Sequence, residues 1–279
     1  MNHLLCFGFG FTAQHLANTL DQTQWKISGT SRSKKGADAI SEQGYEGLVF
    51  DELNAIPTTV THILSSVPPD EIGDPVLQKS ANHLVAHART LKWVAYLSTT
   101  GVYGDRQGAL IDEHADLLPN GPRGQRRVEA EKAWAKIPNL PLHIFRLPGI
   151  YGPGRSQLDA VRQGKARRII KQGQIFSRIH VDDIAGILKA SMARPNSGRI
   201  YNVADDEPCP PQDVVSYACQ ILGVAPPPEI PFEQAELSPM AKSFYKDSKR
   251  ISNLRVKTEL GYQLKYPNYR VGLQALLRA

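Results

Sequence analysis

The sequence predicts an α/β protein, a doubly wound parallel sheet with a small C-terminal lobe. Three observations predict it. Short apolar runs alternate with stretches of helical spacing through the first 150 or so positions. Most runs stop at Gly, Pro, Ser or Thr, so the strands are short and sharply ended. The chemically suggestive residues all fall just after those runs, where ligands of open α/β sheets bind.

Taken in order, "HLLCFGFG" reads as a buried strand entering a turn. "FTAQHLANTLD" follows with Phe11, His15, Leu16 and Leu20 on a helical spacing. "WKISGTSRS" is a second strand, and "KKGADAISEQG" a helix closed by Gly44. "GLVFDEL" is a third strand, and "VTHILSSVPP" a fourth, stopped by Pro68 and Pro69. "DPVLQKSANHLVAHAR" is a long helix that accepts Pro75 in its first turn, where no backbone N–H is needed. "WVAYLSTTGVYG" is a fifth strand, "GPRGQRRVEAEKAW" the next helix, and "LPLHIFRLPGIYGPG" a sixth strand. Further on, "PNSGRIYNVADDEPCPPQDVVSYACQILG" holds one more strand, a Pro-rich turn and a helix opening near Asp213. "APPPEIPFEQAELSPM" reads as loop, and short helices end the chain. Residues 1–175 are expected to form the nucleotide-binding domain. Residues 176–279 should complete the sheet and build a small substrate lobe over the strand ends.

Composition narrows the function. With 279 residues, 41% of them hydrophobic and 22% charged, the chain can bury a core without disulfides. Cys6, Cys209 and Cys219 are too few and too scattered for a disulfide framework or a metal site. No metal is expected. "MNHLLCFGFG" lacks a basic leader, and no run approaches the ~20 apolar residues of a membrane span. A cytoplasmic protein with no membrane partner is the expectation. The net charge of +6 is spread over many segments, and its one cluster, Arg162–Lys171, lacks interleaved aromatics. A nucleic-acid partner is therefore not expected; a pocket for an anion accounts for the charge equally well.

"GFGFTA", Gly8 to Ala13, has the G-x-G-x-x-A form. Gly8 makes the tight turn, Gly10 lets the backbone approach a pyrophosphate, and Ala13 keeps the helix close to the sheet. Phe9, Phe11 and Thr12 complete the loop, whose phosphates would sit on a helix N-terminus. The strand before it and the helix after it make this a dinucleotide loop of a Rossmann sheet. The second strand ends in "GTSRS" with no acid to hold adenosine ribose hydroxyls. Arg32 can pair with a 2′-phosphate, and Thr30, Ser31 and Ser33 can add hydroxyl bonds. NADP is thus expected, with NAD as the alternative.

Together these residues resemble the extended short-chain dehydrogenases/reductases, the NAD-dependent epimerase/dehydratase group. The likeness covers nearly the whole chain. It rests on "GFGFTA", "FDEL", "LSTTGVYGD", "RLPGIYGPG", "RIHVDDIAG" and "YNVADDEP". It implies that Asp51 and Glu52 lie by the adenine ring, and that Ser65, Ser66 and Val67 line the cofactor groove. Thr99 would contact both nicotinamide and the reacting substrate oxygen. Tyr103 is a further candidate at the site, and Tyr151 a residue that packs or lines it. The resemblance also admits a homodimer through the helices after the fourth and fifth strands. An Asp pair, Asp182 or Asp183, is expected to cap the helix after "RIH".

One departure decides the chemistry. The family places a tyrosine base and a lysine four residues apart on the helix after the fifth strand. Here Arg123 and Arg127 stand at those positions. Arg127 can hold ribose hydroxyls. Arg123 carries a guanidinium, which does not give up its proton, and is no general base. His114 and His180 sit near enough in sequence to be weighed as substitutes, and surface and structural roles suit them better. Two functions follow. One is an NADP(H)-dependent oxidoreductase or epimerase-like isomerase on a small anionic or sugar-like substrate, with Thr99 and Arg123 polarising it. The alternative is a non-catalytic module that senses NADP(H).

Overall fold

The computed structural model describes residues 1–278. Its first half runs β1 (Asn2–Phe7), α1 (Phe11–Asn18), β2 (Trp25–Ser31), α2 (Lys34–Ser41), β3 (Glu46–Val49), β4 (His62–Ser65), α3 (Pro75–His87) and β5 (Trp93–Thr99). Next come β6 (Leu110–Ile111), α4 (Pro122–Ala135), β7 (Leu142–Leu147), β8 (Gly149–Tyr151), α5 (Gln157–Arg162), β9 (Arg168–Ile170), β10 (Arg178–His180) and α6 (Val181–Ala193). The chain closes with β11 (Ile200–Asn202), α7 (Pro211–Leu222), β12 (Glu229–Pro231), α8 (Pro239–Phe244), β13 (Arg250–Ile251), α9 (Leu254–Glu259) and α10 (Tyr269–Arg278).

Seven strands form one parallel sheet in the order β11-β7-β5-β4-β1-β2-β3. Successive strand residues point to opposite faces, so both faces need apolar cover and the strands read as continuous hydrophobic runs. Leu4, Cys6, Leu64 and Ala95 face a core shared with Leu16 of α1 and Leu188 of α6. Leu5, Phe7, Ile63 and Tyr96 face the other core, with Leu84 of α3 and Trp134 of α4. The strand order reverses between β1 and β4, which places the crevice of a doubly wound sheet above Gly8.

Several expectations are corrected in detail. The sixth strand is two strands, because Pro148 has no N–H for the ladder; β8 leaves the sheet and pairs with β10 instead. α2 ends at Ser41, and Gly44 (φ +86°) makes the turn beyond it. Residues 229–231, expected as loop, pair as β12 with β9. The cap of α6 is neither aspartate: His180 Nδ1 accepts from the backbone N of Asp182 at 3.2 Å. Beyond residue 175 the chain supplies β11 and α6 to the sheet layers. α5, α7 and α10 pack together around Leu158, Val214 and Leu273.

Candidate functional site

The loop between β1 and α1 is built to leave room. Gly8 lies at φ +82°, and a Cβ there would stand 2.9 Å from Ser66 Oγ, so any side chain is excluded twice over. Gly10 differs: a Cβ would meet nothing within 4 Å. Gly10 also caps α1 without a side-chain hydrogen bond, leaving the first-turn N–H groups of Phe11, Thr12 and Ala13 directed at that open space. An uncapped helix N-terminus beside a bare backbone fits a pyrophosphate. The Thr30 hydroxyl accepts from Gly8 N at 2.9 Å, and Ser66 Oγ donates to Gly8 O at 2.8 Å, fixing the loop to β2 and to the end of β4.

Other groove residues divide by exposure. Arg32, Ser33, Asp51 and Glu52 are exposed at the ends of β2 and β3, and Ser31 is half-buried. Ser33 Oγ caps α2 by accepting from Gly36 N at 3.2 Å. Val67 is half-buried against Gly8. Phe9 turns its ring into the core beside Tyr45, so only its backbone borders the loop. Ser65 is fully buried, with no partner for its Oγ among the described residues. Of the serine pair, Ser66 is the one that reaches the loop.

Beside this groove lies a cleft of about 1240 Å³. Thr99, the N-terminus of α4, the Pro148–Tyr151 segment, Arg178 and α8 line it. Arg155, also in the lining, stacks on Phe11 of α1 at 5.8 Å and so joins cleft to groove. Thr99 Oγ1 accepts from Gly101 N at 3.1 Å, and its own hydrogen remains to be donated. α4, like α1, starts at a glycine without a side-chain cap. The two acids of the lining are engaged. Asp159 accepts from Ser156, while Asp247 accepts from Asn120 and from Lys249 at 3.0 Å. Lys249 is almost buried and also donates to Gly104 O; burial holds its pKa below the usual lysine range. The cleft is therefore net basic.

The arginines of the α4 start have separate fates. Arg123 is exposed on the cleft, 5.7 Å from the Phe244 ring of α8. Arg126 pairs with Glu71 at 2.8 Å. Arg127 turns its Nη1 inward, donating to the Tyr96 hydroxyl at 2.9 Å and to Leu97 O at 2.8 Å. That anchorage leaves Nε and Nη2 for any ribose.

Tyr103 is corrected as a site candidate. It is fully buried, accepts from Arg146 Nη1 at 2.9 Å and donates to Asn202 Oδ1 at 2.7 Å. Burial, opposed by the Arg146 charge, raises its pKa. A hydroxyl so placed cannot reach a substrate. Tyr151 does border the cleft, but its OH is half-occupied by Asn268 O at 3.5 Å and burial raises its pKa. His114 meets Arg255 at 2.8 Å on the exposed surface, outside the cleft. His180 is buried and held neutral, its pKa pushed down to about 4 by desolvation. Arg178, Lys249 and α8 were not singled out by the sequence. "RIHVDD" carried the Arg178 signal; Lys249 has no local pattern.

Asp205, bonded through its backbone N to Arg178 of the cleft lining, is buried, and its Oδ2 has no partner among the described residues. Desolvation, opposed by the Arg178 charge, raises its pKa from 3.8 to about 8. The carboxyl's contribution to stability is therefore whole below its unfolded pKa and is lost as pH rises through about 8. Asp205→Asn is neutral at every pH, so the stability gap in its favour should widen by more than ~1 kcal/mol between about pH 5 and about pH 9. Urea unfolding at the two pH values measures it; a constant gap would show that the carboxyl is not held protonated.

No family model matches the chain. Among solved structures, a functionally unknown conserved protein from Silicibacter pomeroyi DSS is 52% identical, with TM-score 0.96 over 100% of this chain and 99% of that one. A candidate NAD-dependent epimerase/dehydratase from Methylobacillus flagellatus is 28% identical, with TM-score 0.75 over 99% and 98% of the two chains. The chain shares the fold of that epimerase/dehydratase protein over nearly its whole length. Human epimerase family protein SDR39U1 with NADPH, 16% identical at TM-score 0.76 over 99% of each chain, has the same fold. The nucleotide in that human structure is NADPH. No helix among the described residues is long and apolar enough to cross a membrane.

Proposed function

We propose that the protein is an NADP(H)-dependent oxidoreductase or epimerase-like enzyme acting on a small anionic or sugar-like substrate without the usual tyrosine–lysine pair. The observation that carries this reading is the junction at Phe11–Arg155, where a basic cleft opens onto an uncapped helix N-terminus. NADP(H) would supply the hydride chemistry. The loop of Gly8 to Thr12 would hold its pyrophosphate, Arg32 its 2′-phosphate and Arg127 its ribose through Nε and Nη2. Thr99 donates its free hydrogen to a carbonyl oxygen, and Arg123, charged throughout, stabilises negative charge developing there. Neither residue has to lose a proton, because water entering the open cleft would protonate the alkoxide that hydride addition leaves. The α8 wall of the cleft weighs against a non-catalytic NADP(H) sensor, which has no use for a lidded second site.

Arg32 decides between the two cofactors. Its guanidinium is exposed and paired with no acid among the described residues. Arg32→Ala should weaken NADP binding by about 1.5–3 kcal/mol and leave NAD binding unchanged. Calorimetry on both proteins reads this directly. Equal wild-type affinities for NADP and NAD would overturn the NADP assignment. NADPH oxidation across a carbonyl and sugar panel then separates enzyme from sensor.

A further inference from the structure

The cleft contains one buried charge that folding alone does not explain. Arg178 is 9% exposed and lies in register with Gly149 in the β10–β8 ribbon. Its Nη1 donates to Cys209 Sγ at 2.9 Å, and its guanidinium stacks 5.4 Å from the Tyr269 ring centroid. No carboxylate of the described residues comes within 4.0 Å of it. Nε and Nη2 bond to no described residue, yet neither is shut off from solvent. Arg178 lines the cleft, so the cleft is where that edge finds solvent. Arg146, also buried, shows the contrast: all three of its nitrogens are bonded, to Glu131 and Tyr103. A guanidinium drawn out of water without an acid is unfavourable unless something else accepts its protons. Asp205 does not serve: its backbone N donates to Arg178 O at 2.7 Å and the guanidinium charge acts on its carboxyl, but the two form no ion pair within 4.0 Å, and burial, the larger effect, raises the carboxyl pKa to about 8.

We propose that the Nε–Nη2 edge of Arg178 is a subsite for a carboxylate carried by the substrate, with the Tyr269 ring as its platform. The proposal rests on the preceding reading only in taking the cleft as the substrate site. Two parallel donors sharing one positive charge match the two oxygens and single charge of a carboxylate. A phosphoryl dianion would bring a second charge, and the other cation on the Tyr269 ring, Arg270 at 4.6 Å, is paired with Glu207 and does not line the cleft. The location is suited to orienting a reacting carbon. Thr99 is the register partner of Leu147, and Arg178 that of Gly149, so the two flank one turn of the cleft. The substrate class that follows is a hydroxy acid, oxo acid or sugar acid.

Acetate is the minimal probe. The protein, with and without NADP⁺, is titrated with sodium acetate to about 0.2 M at constant ionic strength, a range that reaches weak single-contact affinities. The guanidinium Nε–H resonance of Arg178, assigned by its loss in Arg178→Gln, is followed by NMR. A saturable shift with acetate that chloride does not produce is the expected result. Arg178→Lys, which keeps the charge but loses the fork, should weaken the acetate response of the cleft backbone amides at least ~10-fold. Absence of a saturable shift in the wild type would overturn the proposal, and that outcome needs no variant to fold. A response to phosphate stronger than to acetate would overturn the carboxylate assignment. Should NADP⁺ fail to bind, the preceding reading falls, while the acetate response of Arg178 still decides this one.

Discussion

Glu131→Ala should destabilise the protein by about 3–5 kcal/mol, the scale expected when a buried ion pair loses one partner. Glu131 of α4 is 4% exposed. Its two oxygens receive Arg146 Nη2 at 2.6 Å and Nε at 3.1 Å, and Ser98 Oγ adds a bond at 2.5 Å. Arg146 in turn holds Tyr103, which holds Asn202, whose backbone N donates to Glu113. The chain of bonds ties α4 to β5, β7 and β11. Removing the carboxylate leaves the guanidinium charged, buried and short of two acceptors. Tyr103→Phe breaks the same network more gently, at about 1–3 kcal/mol, and should leave nucleotide affinity unchanged if Tyr103 is purely structural. Urea unfolding of both variants measures the costs. A loss below ~1 kcal/mol for Glu131→Ala would mean that water or another acid reaches Arg146. The pair also bears on the site, because α4 carries Arg123 and Arg127 at its other end. A helix freed from β7 cannot hold those side chains at the cleft with the same accuracy.

The sheet was legible because its physics is local. A strand buried on both faces is mostly apolar, and β1, β4, β5 and β7 are, with the buried Arg146 of β7 held by Glu131. The turn at Gly8 was legible for a similar reason, since its positive φ and the close approach of Ser66 are demands only glycine meets. What escaped was set by partners far off in sequence. β6 and β13 are two residues each and pair across about 140 positions, so neither carries a pattern of its own. Tyr103 reads as a site residue from its "VYG" context. It is buried by Arg146 and Asn202, 43 and 99 positions away. Arg127 reads as a basic residue at the lysine position, but its inward anchorage on Tyr96 depends on how α4 crosses β5. His180 displaced the aspartates as cap because its ring, wedged against Tyr151 and Tyr266, leaves Nδ1 facing the Asp182 amide. The same limit hid Arg178: the sequence shows a charge, and only packing shows that the charge is buried without an acid.

Gly10→Val should abolish nucleotide binding while the protein stays folded. The two glycines of the loop make opposite demands. Gly8 is held at φ +82° against Ser66, so a side chain there strains the backbone and breaks the loop whether or not a ligand is present. Gly10 sits at φ −92°, a conformation open to any residue, and a Cβ meets nothing within 4 Å. The folded protein therefore tolerates valine sterically. Its cost is that of a poorer helix cap, about 1 kcal/mol. The ligand meets a different surface. The two valine methyls would occupy the space over the uncapped start of α1, where a pyrophosphate has to come within hydrogen-bonding distance of the backbone N–H groups. Losing those charge-assisted bonds should cut affinity at least ~100-fold, about 2.7 kcal/mol. Calorimetry with NADP⁺ reads the affinity and thermal unfolding without ligand reads the fold. The separation of the two readouts is the point of the variant, since a loss of binding with the melting temperature nearly unchanged locates the effect in the space above Gly10. Binding retained within a few-fold would show that the pyrophosphate does not pass over this residue, and the nucleotide groove would have to be sought elsewhere along the strand ends.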